Sequence, residues 1–320
     1  MQNNPNKTHE IIIPQAYAQM RFDQALAKLL PDYSRSQIQH WIESGAILVN
    51  GQCIKGKTKA KGGEHVTVEA ILKQQPEWEA QAIPLSIVYE DDALMVINKP
   101  AGLVVHPGAG NADKTLLNAL LHHAPSLQTL PRAGILHRLD KNTSGLLVIA
   151  KTPAVLKELT RQLKARTLLR EYQALIYGRL IAGGKVDAPI GRHPLQRKQM
   201  TVTESGKTAI THYRVMERYR SITRLKVRLE TGRTHQIRVH MAHIHHPIVG
   251  DVAYGGRVQL AKGMSEELIQ SLRSFKRQAL HAWALGLTHP ETGEEMRWEA
   301  PLPEDMEILI RVLKDDSERS

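Results

Sequence analysis

Between Arg21 and Leu30 the apolar residues Phe22, Ala25, Leu26, Leu29 and Leu30 recur at i, i+3, i+4, i+7 and i+8, the spacing of one helix face. Pro31-Asp32 breaks that period. A second helix follows, capped by Ser34 or Ser36, carrying Ile38, Trp41 and Ile42 and ended by Gly45. The pattern then shortens: Ile47-Leu48-Val49 reads as a strand, Asn50-Gly51 as a hairpin turn and Val66-Thr67-Val68 as a returning strand. Residues 1–16 are polar and read as a flexible tail, and 76–86, with Pro76 and Pro84 and no sustained period, as a linker. Beyond Ile87 strand-like runs occur at 93–98, 145–150, 171–177, 209–216 and 225–229. One helix starts at Thr152-Pro153, a cap followed by proline at the first helical position, and another spans roughly 235–244. Strands outnumber helices without regular alternation, which predicts an α+β fold with a mixed, mainly antiparallel sheet. The charged end, 314–320, is expected to be disordered. The expected division is therefore a tail (1–16), a small module (17–75), a linker (76–86), a larger domain (87–313) and a second tail.

Composition narrows the class. With 42% hydrophobic and 23% charged residues the chain has the makeup of a soluble globular protein, and its 320 residues suffice for two domains or for one large domain with an attachment. No apolar stretch approaches the roughly 18 residues that span a membrane, and the polar start lacks a signal-peptide core, so a cytoplasmic protein is expected. The single cysteine, Cys53, excludes an intrachain disulfide and, lying in a strand-like run, is expected to be a buried structural thiol. The net charge of +11 is uneven: residues 151–240 hold 20 Lys and Arg against 6 Asp and Glu, which leaves −3 for the rest. Such segregation favours a polyanionic partner. Aromatic residues at 4% argue against a binder built on many stacking platforms, so recognition rests on phosphates, shape and a few bases. Lys55, Lys57, Lys59 and Lys61 would share one face if their segment were extended, as a phosphate contact or a solvated edge.

The chemistry concentrates in His137-Arg138-Leu139-Asp140-Lys141-Asn142-Thr143-Ser144-Gly145-Leu146-Leu147-Val148. Here a carboxylate sits on a turn before an apolar strand, with cations beside it, which suits a nucleophile or base. The same residues also spell an ordinary turn between two strands. Three more segments bear on it. Arg170-Glu171-Tyr172-Gln173-Ala174 places a tyrosine at the start of a strand. Thr231-Gly232-Arg233-Thr234-His235-Gln236-Ile237-Arg238-Val239-His240 sets Arg233 where a helix begins, within reach of a carboxylate on a neighbouring loop. His246-Pro247-Ile248-Val249-Gly250-Asp251 and Tyr254-Gly255-Gly256 form a turn-rich loop beside that helix.

These four segments, in this order, resemble the motifs of the A/C/D-type RNA pseudouridine synthases that modify large-subunit ribosomal RNA. Arg21-Phe22-Asp23, Tyr33-Ser34-Arg35-Ser36-Gln37-Ile38, Gly45-Ala46-Ile47-Leu48-Val49-Asn50-Gly51 and Gly62-Gly63-Glu64 resemble an S4 RNA-binding domain over 17–75. The resemblance implies a pseudouridine synthase catalytic domain over 87–313. It implies that Asp140 is catalytic, that Tyr172 stacks on the target base, that Arg233 pairs with the aspartate, and that Arg138 helps displace the uridine. His137 and Arg238 join Arg138 as implied substrate contacts, and Arg35, Lys55, Lys57 and Lys59 as RNA contacts of the S4 module. The implied partner is ribosomal RNA or a pre-large-subunit particle, for the D branch the stem-loop called helix 69. No cofactor and no metal are implied, because the isomerisation adds no outside atom, and nothing requires more than a monomer.

Two other readings stand beside this one. His235, His240, His243, His245 and His246 lie within twelve residues, as metal ligands do. Yet His235 and His240 are five apart, not four, and Gln236 stands where a zinc helix of the His-Glu-x-x-His kind has glutamate. The alternative of another class is an RNA-binding ribosome-assembly factor. The presence of both Asp140 and Arg233 argues against it, because a pure binder has no use for a buried carboxylate beside phosphates.

Overall fold

The computed structural model describes residues 7–31, 33, 35–70, 78–108 and 110–319. The chain divides into two compact units, 1–77 and 78–320. The expected cap Ser34, residues 1–6 of the first tail, the start of the linker and Ser320 lie outside the described residues.

The first unit runs β1 (Lys7–Ile12), α1 (Phe22–Leu29), α2 (Arg35–Glu43), β2 (Ile47–Val49), β3 (Gln52–Cys53) and β4 (His65–Ala70), with sheet order β1-β4-β2-β3. Asn50 and Gly51 both take positive φ, +49° and +77°, which brings β3 back against β2 with Val49 opposite Gln52. Phe22, Leu26, Ile38, Trp41 and Ile42 pack on Ile47, Val66 and Val68, so the helical stripes legible in the sequence form the core. The sequence expectation needs correction at three points. Residues 7–12 are not a tail: they pair antiparallel with β4 along its whole length, and Ile13 is fully buried. The segment bearing Lys55, Lys57 and Lys59 is not an extended ribbon, because Thr58 N–H donates to Lys55 O in a tight turn; all three lysines are exposed but do not share one face by alternation. Cys53 is exposed, on the two-residue edge strand β3.

The second unit is built on one mixed sheet. Its elements are β5 (Ile87–Glu90), β6 (Leu94–Lys99), α3 (Leu116–His123), β7 (Ser144–Ala150), α4 (Pro153–Ala165), β8 (Leu169–Tyr177), β9 (Gly184–Asp187), β10 (Ile190–Arg192), β11 (Met200–Val202), β12 (Ile210–Arg218), β13 (Ile222–Leu229), α5 (Gln236–His243), α6 (Glu266–Ser274), β14 (Leu280–Thr288), β15 (Glu295–Glu299) and α7 (Glu304–Glu318). The large sheet has the order β5-β6-β7-β14-β8-β13-β12-β9, with β15 also on β14, while β10 and β11 pair apart from it. Among the described residues, β7–β14 is the only parallel pairing between strands of the large sheet, so the fold is mainly antiparallel. Both faces of β6 and β7 are covered: Met95, Ile97, Leu147 and Ile149 face one core, and Leu94, Val96, Leu146 and Val148 face a second that α4 closes with Val155 and Leu159. A strand buried on both faces reads as an unbroken apolar run, as these two do.

Residues 78–86 are packed rather than free: Trp78 and Leu85 lie against the core, and Ser86 O accepts from Asn98 N–H. The expected C-terminal disorder is likewise overturned. The α7 helix carries Met306, Leu309, Ile310 and Leu313 into the core, and runs on through the nearly buried Asp316, which accepts Ser265 N–H at 2.7 Å and Arg220 Nε at 3.2 Å. Of the charged residues that suggested a tail, Lys314, Asp315 and Glu318 lie on the exposed side of this helix, whereas Asp316 turns inward.

Candidate active site

Asp140 precedes β7 on a turn closed by Thr143 N–H donating to Asp140 O at 3.0 Å. Thr143, Ser144 and Gly145 each fasten to the stretch that enters β14. Thr143 Oγ1 accepts from Gln278 Nε2 at 3.0 Å, and Ser144 Oγ meets His281 Nδ1 at 2.9 Å. Gly145, at φ +115°, lies so close to Ala282 that a Cβ there would sit 2.2 Å from its carbonyl oxygen. No side chain fits, so glycine is what lets β7 join β14 and sets the carboxylate above the centre of the sheet. The Thr-Ser-Gly run after the aspartate is thus an anchoring device.

Beneath the turn lies a residue the sequence analysis missed. Lys99, fully buried at the end of β6 and opposite Gly145, donates from Nζ to Pro100 O (2.7 Å), Leu103 O (2.9 Å) and Lys141 O (3.0 Å). Three ammonium protons meet three carbonyls and tie two loops together. Burial pushes Lys99 down to about 7, with Asp140 pulling the other way. Below pH 7 the lysine is charged in both the folded and unfolded chain, and its burial costs stability. As pH rises toward 10.5 the folded protein gives up that proton before the unfolded chain does, so the cost fades. Relative to Lys99→Met, the wild type should therefore gain stability between pH 7 and 9, by up to about 1.4 kcal/mol per pH unit. Urea unfolding of both proteins across that range measures it; a constant difference would show that the lysine titrates alike in both states.

The second wall comes from α5 and the loop after it. Gln236 Oε1 accepts from Thr231 Oγ1 at 2.8 Å and from Arg233 N–H at 3.0 Å, which winds the preceding residues around the helix start. Arg233 is exposed, and its Nε donates to Thr208 O at 3.0 Å. The expected pairing of Arg233 with Asp140 is therefore not what the structure has. Arg238, on the first turn of α5, supplies the cation: Nη1 donates to Asp140 Oδ2 at 3.0 Å, while Nε and Nη2 fork onto Asp251 at 2.7 and 2.9 Å. The two arginines lie five positions apart, and the turn at Gln236 sends the first outward and the second inward. Burial alone would lower Arg238, but Asp251 and then Asp140 more than offset it and hold it above its ordinary value. Asp251, 3% exposed, also accepts the N–H groups of Ala253 and Tyr254. Arg238, proposed from sequence as an RNA contact, is thus a buried organiser of two carboxylates.

These walls enclose a cavity of about 760 Å³ lined by Asp140, Arg138, Tyr172, Arg170, Arg233 and His235, among others. Tyr172 is 6% exposed on β8, and burial pushes its phenol up to about 12, so it enters the site protonated. Arg138 is exposed at the mouth and, among the described residues, makes no hydrogen bond or ion pair that would hold it back. His137 is half-buried and its Nε2 accepts Val148 N–H at 3.2 Å, which makes it a brace of β7 rather than a free RNA contact.

Two of the histidines singled out as a possible metal site are engaged elsewhere. His240 bridges Thr211 Oγ1 and Ala188 O, His246 meets Tyr177 O, and among the described residues no three His, Cys, Asp or Glu side chains gather as ligands. In the first unit Arg35 is half exposed but committed to the buried Asp23, with Nη2 2.8 Å from Oδ2. Burial pushes Asp23 up, and Arg35, Arg21 and Gln39 together hold it below the usual carboxylate range. Among the described residues no helix is long and apolar enough to cross a membrane.

Comparison with known proteins agrees with this geometry. The family model for RNA pseudouridylate synthase matches residues 93–243, and that for the S4 domain matches 20–66. The chain is 58% identical over 299 residues to the ribosomal large subunit pseudouridine synthase D of Salmonella typhimurium, covering 93% of this chain and 92% of that one. It is 56% identical, with the same coverage, to the protein of that name in Escherichia coli K12. Among solved structures, human RNA pseudouridylate synthase domain containing 4 aligns with a TM-score of 0.56 at 25% identity, over 72% of this chain and 93% of that one. With an aspartate and a tyrosine converging in one cavity and near-complete coverage by such relatives, the chain belongs to the RNA pseudouridine synthases, alongside the ribosomal large-subunit enzymes of the D type.

Proposed function

We propose that this enzyme isomerises uridine to pseudouridine in large-subunit ribosomal RNA, with the helix 69 stem-loop as its target. The target uridine leaves its stack and enters the cavity, because the reacting atoms are out of reach within a helix. Asp140 acts at the sugar or at the uracil ring, the N1–C1′ bond breaks, the base turns, and C5 joins C1′. Tyr172 holds the detached uracil against its ring. Arg138, free at the mouth, takes the place the uridine leaves. The proton lost from C5 balances the one gained at N1, so the reaction needs no oxidant, reductant or donor group. The observation that carries this reading is the convergence of Asp140 and Tyr172 on one cavity, with Arg238 bonded to one carboxylate oxygen. The cytoplasm, where ribosomal RNA is assembled, is the matching compartment.

The test uses RNA tritiated at uridine C5. Helix 69 stem-loop RNA should release tritium on incubation with the protein, and an unrelated stem-loop of equal length should not. Equal release from both would remove the assignment of helix 69. Tight binding with no release from either would favour the ribosome-assembly reading instead.

A further inference from the structure

Asp140 has two oxygens, and the structure treats them differently. Oδ2 is taken by Arg238 at 3.0 Å. Oδ1 faces His235, whose Nε2 stands 3.8 Å away, beyond hydrogen-bond reach. The other ring nitrogen is engaged: Nδ1 lies 2.7 Å from Tyr254 Oη. That hydroxyl already accepts Met200 N–H at 2.9 Å, so its own hydrogen is free to point at Nδ1. A histidine that accepts at Nδ1 carries its proton on Nε2 when neutral, and Nε2 is the atom aimed at the carboxylate.

The ring has little freedom to do otherwise. His235 takes φ +56°, an unfavourable conformation for a residue with a side chain, at the residue just before α5. Its ring meets the Tyr254 ring edge-on at 5.6 Å between centroids, and the Arg238 guanidinium lies 4.9 Å from that ring's centre. Asp251 ties Arg238 to the backbone of Tyr254, so the two donors facing Asp140 belong to one braced block. Burial also pushes His235 below the ordinary histidine range, against the pull of Asp140, which agrees with a neutral ring.

We infer that His235 is a positioning residue: a neutral imidazole, its tautomer set by Tyr254, whose Nε2–H closes onto Oδ1 of Asp140 when uridine fills the cavity. With Arg238 on one oxygen and His235 on the other, the carboxylate is held against rotation while it acts. Hydrogen bonds at such sites are commonly long in the empty enzyme and shorten with substrate bound. The inference rests on Asp140 being the reacting group.

The experiment compares His235→Ala, His235→Gln and His235→Asn in the full-length protein, with Asp140→Asn alongside, by single-turnover tritium release, RNA affinity and Tm. His235→Ala should slow the chemical step about tenfold to a hundredfold with affinity nearly unchanged, the effect of losing one hydrogen bond to a charged group. Glutamine places an N–H where Nε2–H was and should recover most of the rate. Asparagine suits the left-handed backbone and can reach Tyr254, but falls short of Asp140, and should stay slow. A purely structural role reverses that order, so asparagine equal to or faster than glutamine overturns the inference. As a second measurement, 15N spectra of the histidine-labelled complex with RNA should show His235 protonated at Nε2, and mixed in Tyr254→Phe; protonation at Nδ1 in the wild type also overturns it. Wild-type rates for Asp140→Asn would instead remove the reading on which it rests.

Discussion

Asp140→Asn should release tritium from C5-labelled RNA at least about a thousandfold more slowly than the wild type, the scale of losing a group that acts directly on the substrate. The change is isosteric. It removes the charge but leaves Thr143, Ser144 and Gly145 fastened to the end of β14, so the turn keeps its shape. Arg238 keeps its two bonds to Asp251 and is not left unpaired. RNA affinity should therefore stay within about threefold, and Tm should move by no more than about 3 °C, since a loss of up to 1 kcal/mol shifts a domain of this size by about that much. Rate lost with fold and binding kept is the signature of a reacting group. A rate within tenfold of the wild type would transfer the chemistry to another residue.

Arg238→Met should cost both activity and stability. The substitution leaves Asp251, nearly inaccessible, and the half-buried Asp140 without their shared cation. Breaking a buried pair by deleting one partner costs about 3–5 kcal/mol. For a unit of this size that amounts to a fall in Tm of about 10 °C. Arg238→Lys restores the charge but cannot form a fork and a third bond at once, so it should recover only part of the loss. Arg233→Ala should leave Tm almost unchanged and act through RNA affinity, because the Arg233 side chain is exposed and, among the described residues, bonds a backbone carbonyl alone. Calorimetry and tritium release on these three variants decide between the two arginines: if Arg233→Ala abolished the rate while Arg238→Met kept it, the pairing would be reversed.

What was legible in the sequence divides along physical lines. The helical stripe from Phe22 to Leu30, the Asn-Gly turn and the unbroken apolar run of β7 follow from local periodicity, and the structure has each of them. The Asp140 turn could be seen because its residue types are unusual together. The choice between Arg233 and Arg238 could not be seen, because it depends on where the backbone turns at Gln236, and that turn is set by bonds to Thr231 and to Ile210 on another strand. Lys99 was hidden for a similar reason: a lysine after an apolar strand reads as an exposed end, and only the fold shows three carbonyls converging on it. The tail residues 314–318 misled because composition records charge and not helical phase: Lys314, Asp315 and Glu318 are exposed on α7, while Asp316 turns inward to Ser265 and Arg220.

The anchoring of the Asp140 turn also bears on when the enzyme becomes active during its own synthesis. Ser144 and His281 are separated by 137 residues, and Gln278 and Ala282 belong to the same late stretch. At ordinary translation speeds of about 5–20 residues per second, the aspartate waits roughly ten seconds on the growing chain before its anchor is made. The first unit draws its sheet and core from residues 7–70 and needs nothing from that stretch. A nascent chain thus acquires the fold of its RNA-binding module well before the Asp140 turn is anchored, and with Asp140 in the role proposed above its chemistry waits for the last strands to emerge.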